Sequence, residues 1–180
     1  MNINSRYPEL SRLAAGRLLT DVSITLTMDE PSCRYGWKEF WIRPGVINED
    51  AVELFGFAKC FYLAAAMHEL VGWPLGMVDQ LVNGEWMWAH AGVVTPDGRF
   101  LDIHGDRPVN AIPRQMEADF GPEARLYETT FAQYAQAAGL SAESWVDLLG
   151  APVVAEIFRY FAETLIAQCS LPVLAAGGVR

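Results

Sequence analysis

The chain has 180 residues, 52% of them hydrophobic and 19% charged, with a formal net charge of −9. That length suits one domain with a sizeable core, and that composition excludes a disordered chain. The acidic balance, with no Lys/Arg run, argues against nucleic acid and anionic membranes as partners.

Cys33, Cys60 and Cys169 are odd in number and widely spaced, so no disulfide framework is expected, and no C-x-x-C pair offers a zinc knuckle. The N-terminus lacks an apolar signal segment and no run reaches membrane-spanning length. The expectation is a single domain over 1–180, reducing, cytoplasmic and without cofactor or metal. Six Trp and nine Phe suggest an apolar face for a homo-oligomer or protein partner.

In chain order, residues 8–19 read as a helix, with Pro8 in its first turn and Leu10, Leu13, Ala14 and Leu18 at helical spacing. Val22, Ile24, Leu26 and Met28 alternate with Ser23, Thr25 and Thr27, predicting a half-buried strand. A second strand over 38–43 should pair with it, and 44–50 reads as loop. Cys60, Leu63, Ala64, Met67 and Val71 then share one helical stripe, closed by Gly72 as a left-handed cap and by Pro74. Strands follow over 75–82 and 86–95, joined by the tight turn Asn83-Gly84. Thr95-Pro96-Asp97-Gly98 turns the chain into a third strand over 99–104. The C-terminal part, about 113–170, reads as helical. Thr130 and Gln133 form a capping box, Ser141 caps a helix to Leu149, and Pro152 opens a helix to about Gln168. The stripe Val153, Ile157, Tyr160, Phe161 and Leu165 is expected to pack on the sheet. The tail from 171 carries no motif.

The chemistry-bearing residues are Cys60 at the head of its helix and His90 and Asp102 on consecutive strands of a hairpin. A thiol of ordinary pKa near 8.5 is mostly protonated at neutral pH, and a helix N-terminus or an imidazolium draws its proton off. A base beside it and an anion behind the base complete a nucleophilic triad. If Thr95 faces Arg99 across a three-residue loop, His90, Asp102 and His104 share one face, with Asp102 diagonal to His90. His104 is therefore a rival for the orienting role. A zinc site from Cys60, His90, Asp102 and His104 has suitable ligand types without a closely spaced anchoring pair. His68 reads as a surface or packing residue, and Cys33 and Cys169 as bystanders. Trp88 is expected on the His90 face, and Trp86 and Trp88 are open between core and cleft wall.

Cys60 at a helix start, a Gly72-Trp73-Pro74 exit into a strand, and then His90-Ala91 followed by Asp97-Gly98 and Asp102 resemble the transglutaminase-like branch of the papain-like cysteine hydrolases. The resemblance covers 56–105, the site core. It implies an α+β fold: a papain-like/transglutaminase-like core whose N-terminal site helix packs on an antiparallel sheet, with C-terminal helices. It also implies Cys60 as nucleophile, His90 as base and Asp102 as orienter, serving acyl transfer through a thioester. Lys59 and Phe61 stand where those enzymes usually carry a small residue and Trp, and Gly92 where they carry Trp; these departures bear on crosslinking more than on fold. Asn48 and Trp41 lie where a second oxyanion donor would be sought. The expected function is a cysteine-dependent protease, amidase or deamidase acting on protein or peptide amides. The alternative is an inactive binding or assembly module of the same fold, phage- or effector-related.

Overall fold

The computed structural model describes residues 22–27, 37–137 and 152–169. The helices expected over 8–19 and 141–149, Cys33 and the tail from 171 lie outside the described residues. Two antiparallel sheets are present. Strands β1 (Val22–Thr27) and β2 (Trp37–Ile42) form a ribbon in register from Val22↔Ile42 to Thr27↔Trp37, as the alternation predicts.

The stretch expected to be loop up to residue 50 ends in a helix. Asn48 caps α1 (Glu49–Glu53), its Oδ1 accepting the Ala51 N–H at 2.8 Å. A π-helical turn, Leu54–Ala58, continues it, with the Lys59 N–H reaching back to the Leu54 carbonyl at 2.8 Å. The axis then bends by 94° into α2 (Cys60–Val71). Leu54 and Phe55, fully buried, anchor the corner. Gly72 ends α2 at φ 73, a conformation that costs glycine nothing.

Strands β3 (Leu75–Val82) and β4 (Glu85–Val94) turn at Asn83-Gly84, both at positive φ as a tight hairpin needs. Next come β5 (Arg99–Asp102), β6 (Gly105–Pro108), α3 (Ala111–Phe120), β7 (Ala124–Thr129), α4 (Phe131–Ala137) and α5 (Pro152–Gln168). The five-stranded antiparallel sheet has the order β6-β5-β4-β3-β7. The chain is thus a mixed α+β fold. No single helix among the described residues is long and apolar enough to cross a membrane.

The expected strand over 99–104 is divided: β5 stops at Asp102, and residues 103 and 104 form the tip of a second hairpin that pairs Asp102 with Gly105. The stretch expected to be helical from 113 holds β7, an edge strand pairing Gln80↔Ala124 through Leu75↔Thr129. Its mostly polar, half-exposed residues hide the period-two pattern that a buried strand shows.

Helix α2 is buried nearly all round, at Cys60, Phe61, Leu63, Ala64, Ala65, Ala66 and Met67, because it is sandwiched. One side meets Leu75, Met77, Ala91, Val93 and Leu101 of the sheet. The other meets α5, which packs on α2 where the sequence reading placed it on the sheet. Phe55 anchors α5 through ring contacts of 5.0 Å with both Phe158 and Phe161. Such pairs contribute about 0.5–1.5 kcal/mol each beyond their buried area. A smaller cluster of Val78, Phe100, Ile112 and Ala124 joins α3 to the sheet.

Candidate active site

Cys60 is the first residue of α2, where the leading amides have no intrahelical acceptor and the helix dipole is positive. The 94° corner delivers it there, and the residue is only 3% exposed. Lys59 makes no side-chain cap; its Nζ lies 5.0 Å over the Tyr62 ring, and burial pushes its pKa down.

The β4–β5 hairpin has the expected three-residue loop, with the Thr95 N–H donating to the Arg99 carbonyl at 2.8 Å. Register runs Val93↔Leu101 and Val94↔Phe100, which puts Gly92 beside Asp102 and His90 on its diagonal. His90 Nε2 lies 2.8 Å from Asp102 Oδ2, and both residues are buried. Burial by itself would lower the His90 pKa. Hydrogen bonds to Asp102 and Cys60, and the charges of both, overcome that and raise it to about 10. With Nε2 committed to Asp102, Nδ1 is the ring nitrogen left for the thiol. Cys60, His90 and Asp102, distant in sequence, are therefore brought together.

Asp102 is held from two further directions. Its Oδ1 accepts the His104 backbone N–H at 2.9 Å, and its Oδ2 also pairs with the Arg107 guanidinium. Arg107 Nη1 donates to Gln115 Oε1 on α3 at 2.6 Å, so the carboxylate is tied to that helix as well. Sequence reasoning missed Arg107 because it missed β6. The available hint was Gly105, at φ 91, closing a two-residue turn after Asp102.

His104 lies in the turn after β5, not on a strand. Its side chain is exposed in the turn, and only its main chain supports Asp102. Partial desolvation, followed by the charges of Arg107 and His90, lowers its pKa against the pull of Asp102. Its ring lies over Gly56, where a β-carbon would stand 3.3 Å from Nε2. His68 accepts a packing role, its Nδ1 2.6 Å from the Trp73 carbonyl.

Trp88 also departs from expectation. A bulge between Val78 and Asp79 pairs Val78 with His90 but Asp79 with Trp88, so Ala89 is extra and the alternation breaks. Trp88 instead meets Tyr134 of α4, ring centroids 5.9 Å apart. Tyr134 stacks on Phe61 at 3.9 Å and feels the charge of Cys60. Desolvation, then Tyr62, Cys60 and Tyr127, raises the Tyr134 hydroxyl to about 12.

Asn48 uses Oδ1 to cap α1 and Nδ2 to bond the Trp41 carbonyl at 3.0 Å, while the Trp41 N–H donates to Asp50 Oδ2 at 2.7 Å. Cys169 lines a separate cavity of about 180 Å³ with Leu101, Gly105, Asp106, Leu165 and Gln168, and burial followed by nearby acids raises its pKa. Among the described residues no group of three His, Cys, Asp or Glu converges as a metal site.

Comparison with family models, with curated proteins and with solved structures finds no match to this chain.

Proposed function

We propose that the chain is a cysteine-dependent acyl-transfer hydrolase with a papain-like or transglutaminase-like core, cleaving an amide of a protein or peptide. The observation that supports it best is one buried imidazole, His90, in contact with both Asp102, at 2.8 Å, and the Cys60 thiol. In this reading His90 is cationic at neutral pH, and a cation beside a sulfur favours the thiolate. The Cys60 sulfur attacks the amide carbon, the C–N bond breaks, and the His90 proton passes to the leaving nitrogen. Water then adds to the thioester, giving a proton to His90, and the C–S bond breaks to release the acid. The Cys60 backbone N–H, at the helix start, is the first donor for the oxyanion.

One observation favours the second reading, an inactive binding or assembly module: the sulfur is almost wholly covered, while Trp86, Met87 and Trp88 stand exposed. The experiment that separates the two is alkylation by iodoacetamide with mapping by mass spectrometry. The hydrolase reading expects Cys60 to label faster than Cys169 and Cys33, with a rate that falls in His90→Ala. Equal rates at all three cysteines would sink it. Trapping a thioester on Cys60 would establish the covalent step directly.

A further inference from the structure

The carboxylate behind His90 accepts more donors than a triad requires. Asp102 is 2% exposed, and its Oδ1 takes the His104 N–H at 2.9 Å. Its Oδ2 contacts His90 Nε2 at 2.8 Å, and Arg107 Nη2 donates to that same oxygen. An imidazole nitrogen and a guanidinium nitrogen that share one oxygen lie within a few ångströms of each other. When His90 is protonated, two cations therefore face one buried anion.

The seating of Arg107 fits that contact. The residue comes from β6, at the sheet edge, where it pairs with Phe100. Its Nη1 donates to Gln115 Oε1 on α3 at 2.6 Å, which fixes the plane of the guanidinium. Its Nε is buried and has no acceptor among the described residues. A buried donor left unmatched is destabilising, so the side chain is held for its two Nη contacts and not for a complete set of hydrogen bonds.

The surroundings of His90 give the second cation its effect. Helix α2 contributes Cys60, β5 contributes Asp102, the turn after β5 contributes His104 and β6 contributes Arg107, while β3 sets the apolar Val78 opposite His90. A buried carboxylate with no other cation holds an imidazolium proton tightly, and a proton held too tightly passes slowly to a leaving nitrogen. A guanidinium on the same oxygen offsets part of that negative charge. It also restrains the carboxylate from turning, which keeps Oδ2 on Nε2.

Resting on the hydrolase reading, we propose that Arg107 is a positioning residue of the triad, which holds Asp102 Oδ2 against His90 Nε2 and weakens the grip of that carboxylate on the imidazolium proton. The working group is then a chain of four side chains, Cys60, His90, Asp102 and Arg107, with Gln115 of α3 as its outer stay. In it Asp102 orients the ring more than it charges it.

The test follows the His90 ring of the full chain by nuclear magnetic resonance as pH rises, with iodoacetamide labelling of Cys60 beside it. Arg107→Gln should move the His90 titration upward by about half a pH unit or more, because a neighbouring cation is gone. Arg107→Lys keeps the charge and should titrate as the wild type does. An arginine that served only the fold would change stability in both variants and the midpoint in neither. Should Arg107→Gln fold poorly, Gln115→Glu, at an exposed position, sets a carboxylate on Nη1 and draws the guanidinium charge outward, and the His90 midpoint should again rise. A midpoint unmoved by Arg107→Gln, or by Gln115→Glu where the first does not fold, would overturn the proposal. Equal shifts in Arg107→Gln and Arg107→Lys would do the same. His90→Ala keeps the two ideas apart: slowed Cys60 labelling there, with no shift in Arg107→Gln, leaves the triad and removes Arg107 from it. A shift in Arg107→Gln with labelling indifferent to His90 keeps the hold of Arg107 on the ring and sinks the hydrolase.

Discussion

Gly92 lies beneath Phe100, and a β-carbon at Gly92 would stand 2.5 Å from both the Leu101 carbonyl oxygen and Phe100 Cζ. The close approach lets β5 sit tightly on β4 just before the two strands part at the His90–Asp102 pair. Gly92→Ala must therefore push backbone as well as a ring. The expected cost is that of overpacking, about 1–3 kcal/mol. Urea unfolding of Gly92→Ala checks it, and a midpoint equal to the wild type would show that β5 can shift freely.

Asp102 satisfies His90, Arg107 and the His104 N–H at once. Asp102→Ala leaves buried His90 and partly buried Arg107 unmatched, so the fold should lose about 3–5 kcal/mol. Cys60 alkylation should also lose its dependence on His90, since nothing then orients the ring. Equilibrium unfolding and labelling of the same preparation measure both effects.

The pH dependence follows from His90. Its folded pKa of about 10 lies above the ordinary 6.5, so the folded state binds the proton more tightly. The stabilisation is complete below about pH 6.5 and is lost as pH rises through about 10. The stability gap between the wild type and His90→Gln should thus narrow from pH 6 to pH 10.5 in urea titrations. A gap that widens over that range would contradict the sign.

Arg107 holds the His104 imidazole down by its charge, after the larger effect of desolvation, while Asp102 pulls it up. Arg107→Gln should move the His104 titration midpoint upward, and Asp102→Asn should move it downward. Nuclear magnetic resonance of the His104 ring reads both directly. Shifts in the same direction for the two variants would show that charge is not what separates them.

A second buried carboxylate, Asp79, takes Nε and Nη2 of Arg125 at 3.1 and 2.8 Å and the Tyr127 hydroxyl at 3.3 Å. The partners differ: the Arg125 side chain is half-exposed and stacks on Trp86 at 4.2 Å, whereas Asp79 is buried. Arg125→Ala strands a buried anion, at about 1–3 kcal/mol, and also strips the Trp86 ring. Asp79→Asn leaves an arginine free to turn into water and should cost less. Paired unfolding curves decide the order.

Local patterns in the sequence determined much of this molecule. The Val22, Ile24 and Leu26 alternation, the Asn83-Gly84 and Thr95-to-Gly98 turns, the Gly72 cap, the Thr130–Gln133 box and Pro152 at a helix start each act over a few residues, so they are readable without neighbours. The Cys60, His90 and Asp102 set was legible for the same reason, since helix start and hairpin register are near-neighbour properties. What only the tertiary structure decided involves partners far along the chain or breaks in period. The π turn that bends the chain by 94° into Cys60 depends on Leu54 and Phe55 finding a core. The bulge that turns Trp88 away from His90 interrupts the alternation from which its face was read. Arg107 reaches Asp102 only through a short strand of polar sequence, and α5 chose α2 over the sheet because Phe55 offered both Phe158 and Phe161 a ring to pack on. The stacking of Tyr134 on Phe61, between segments far apart in sequence, has no local signature, because it exists only once both are folded.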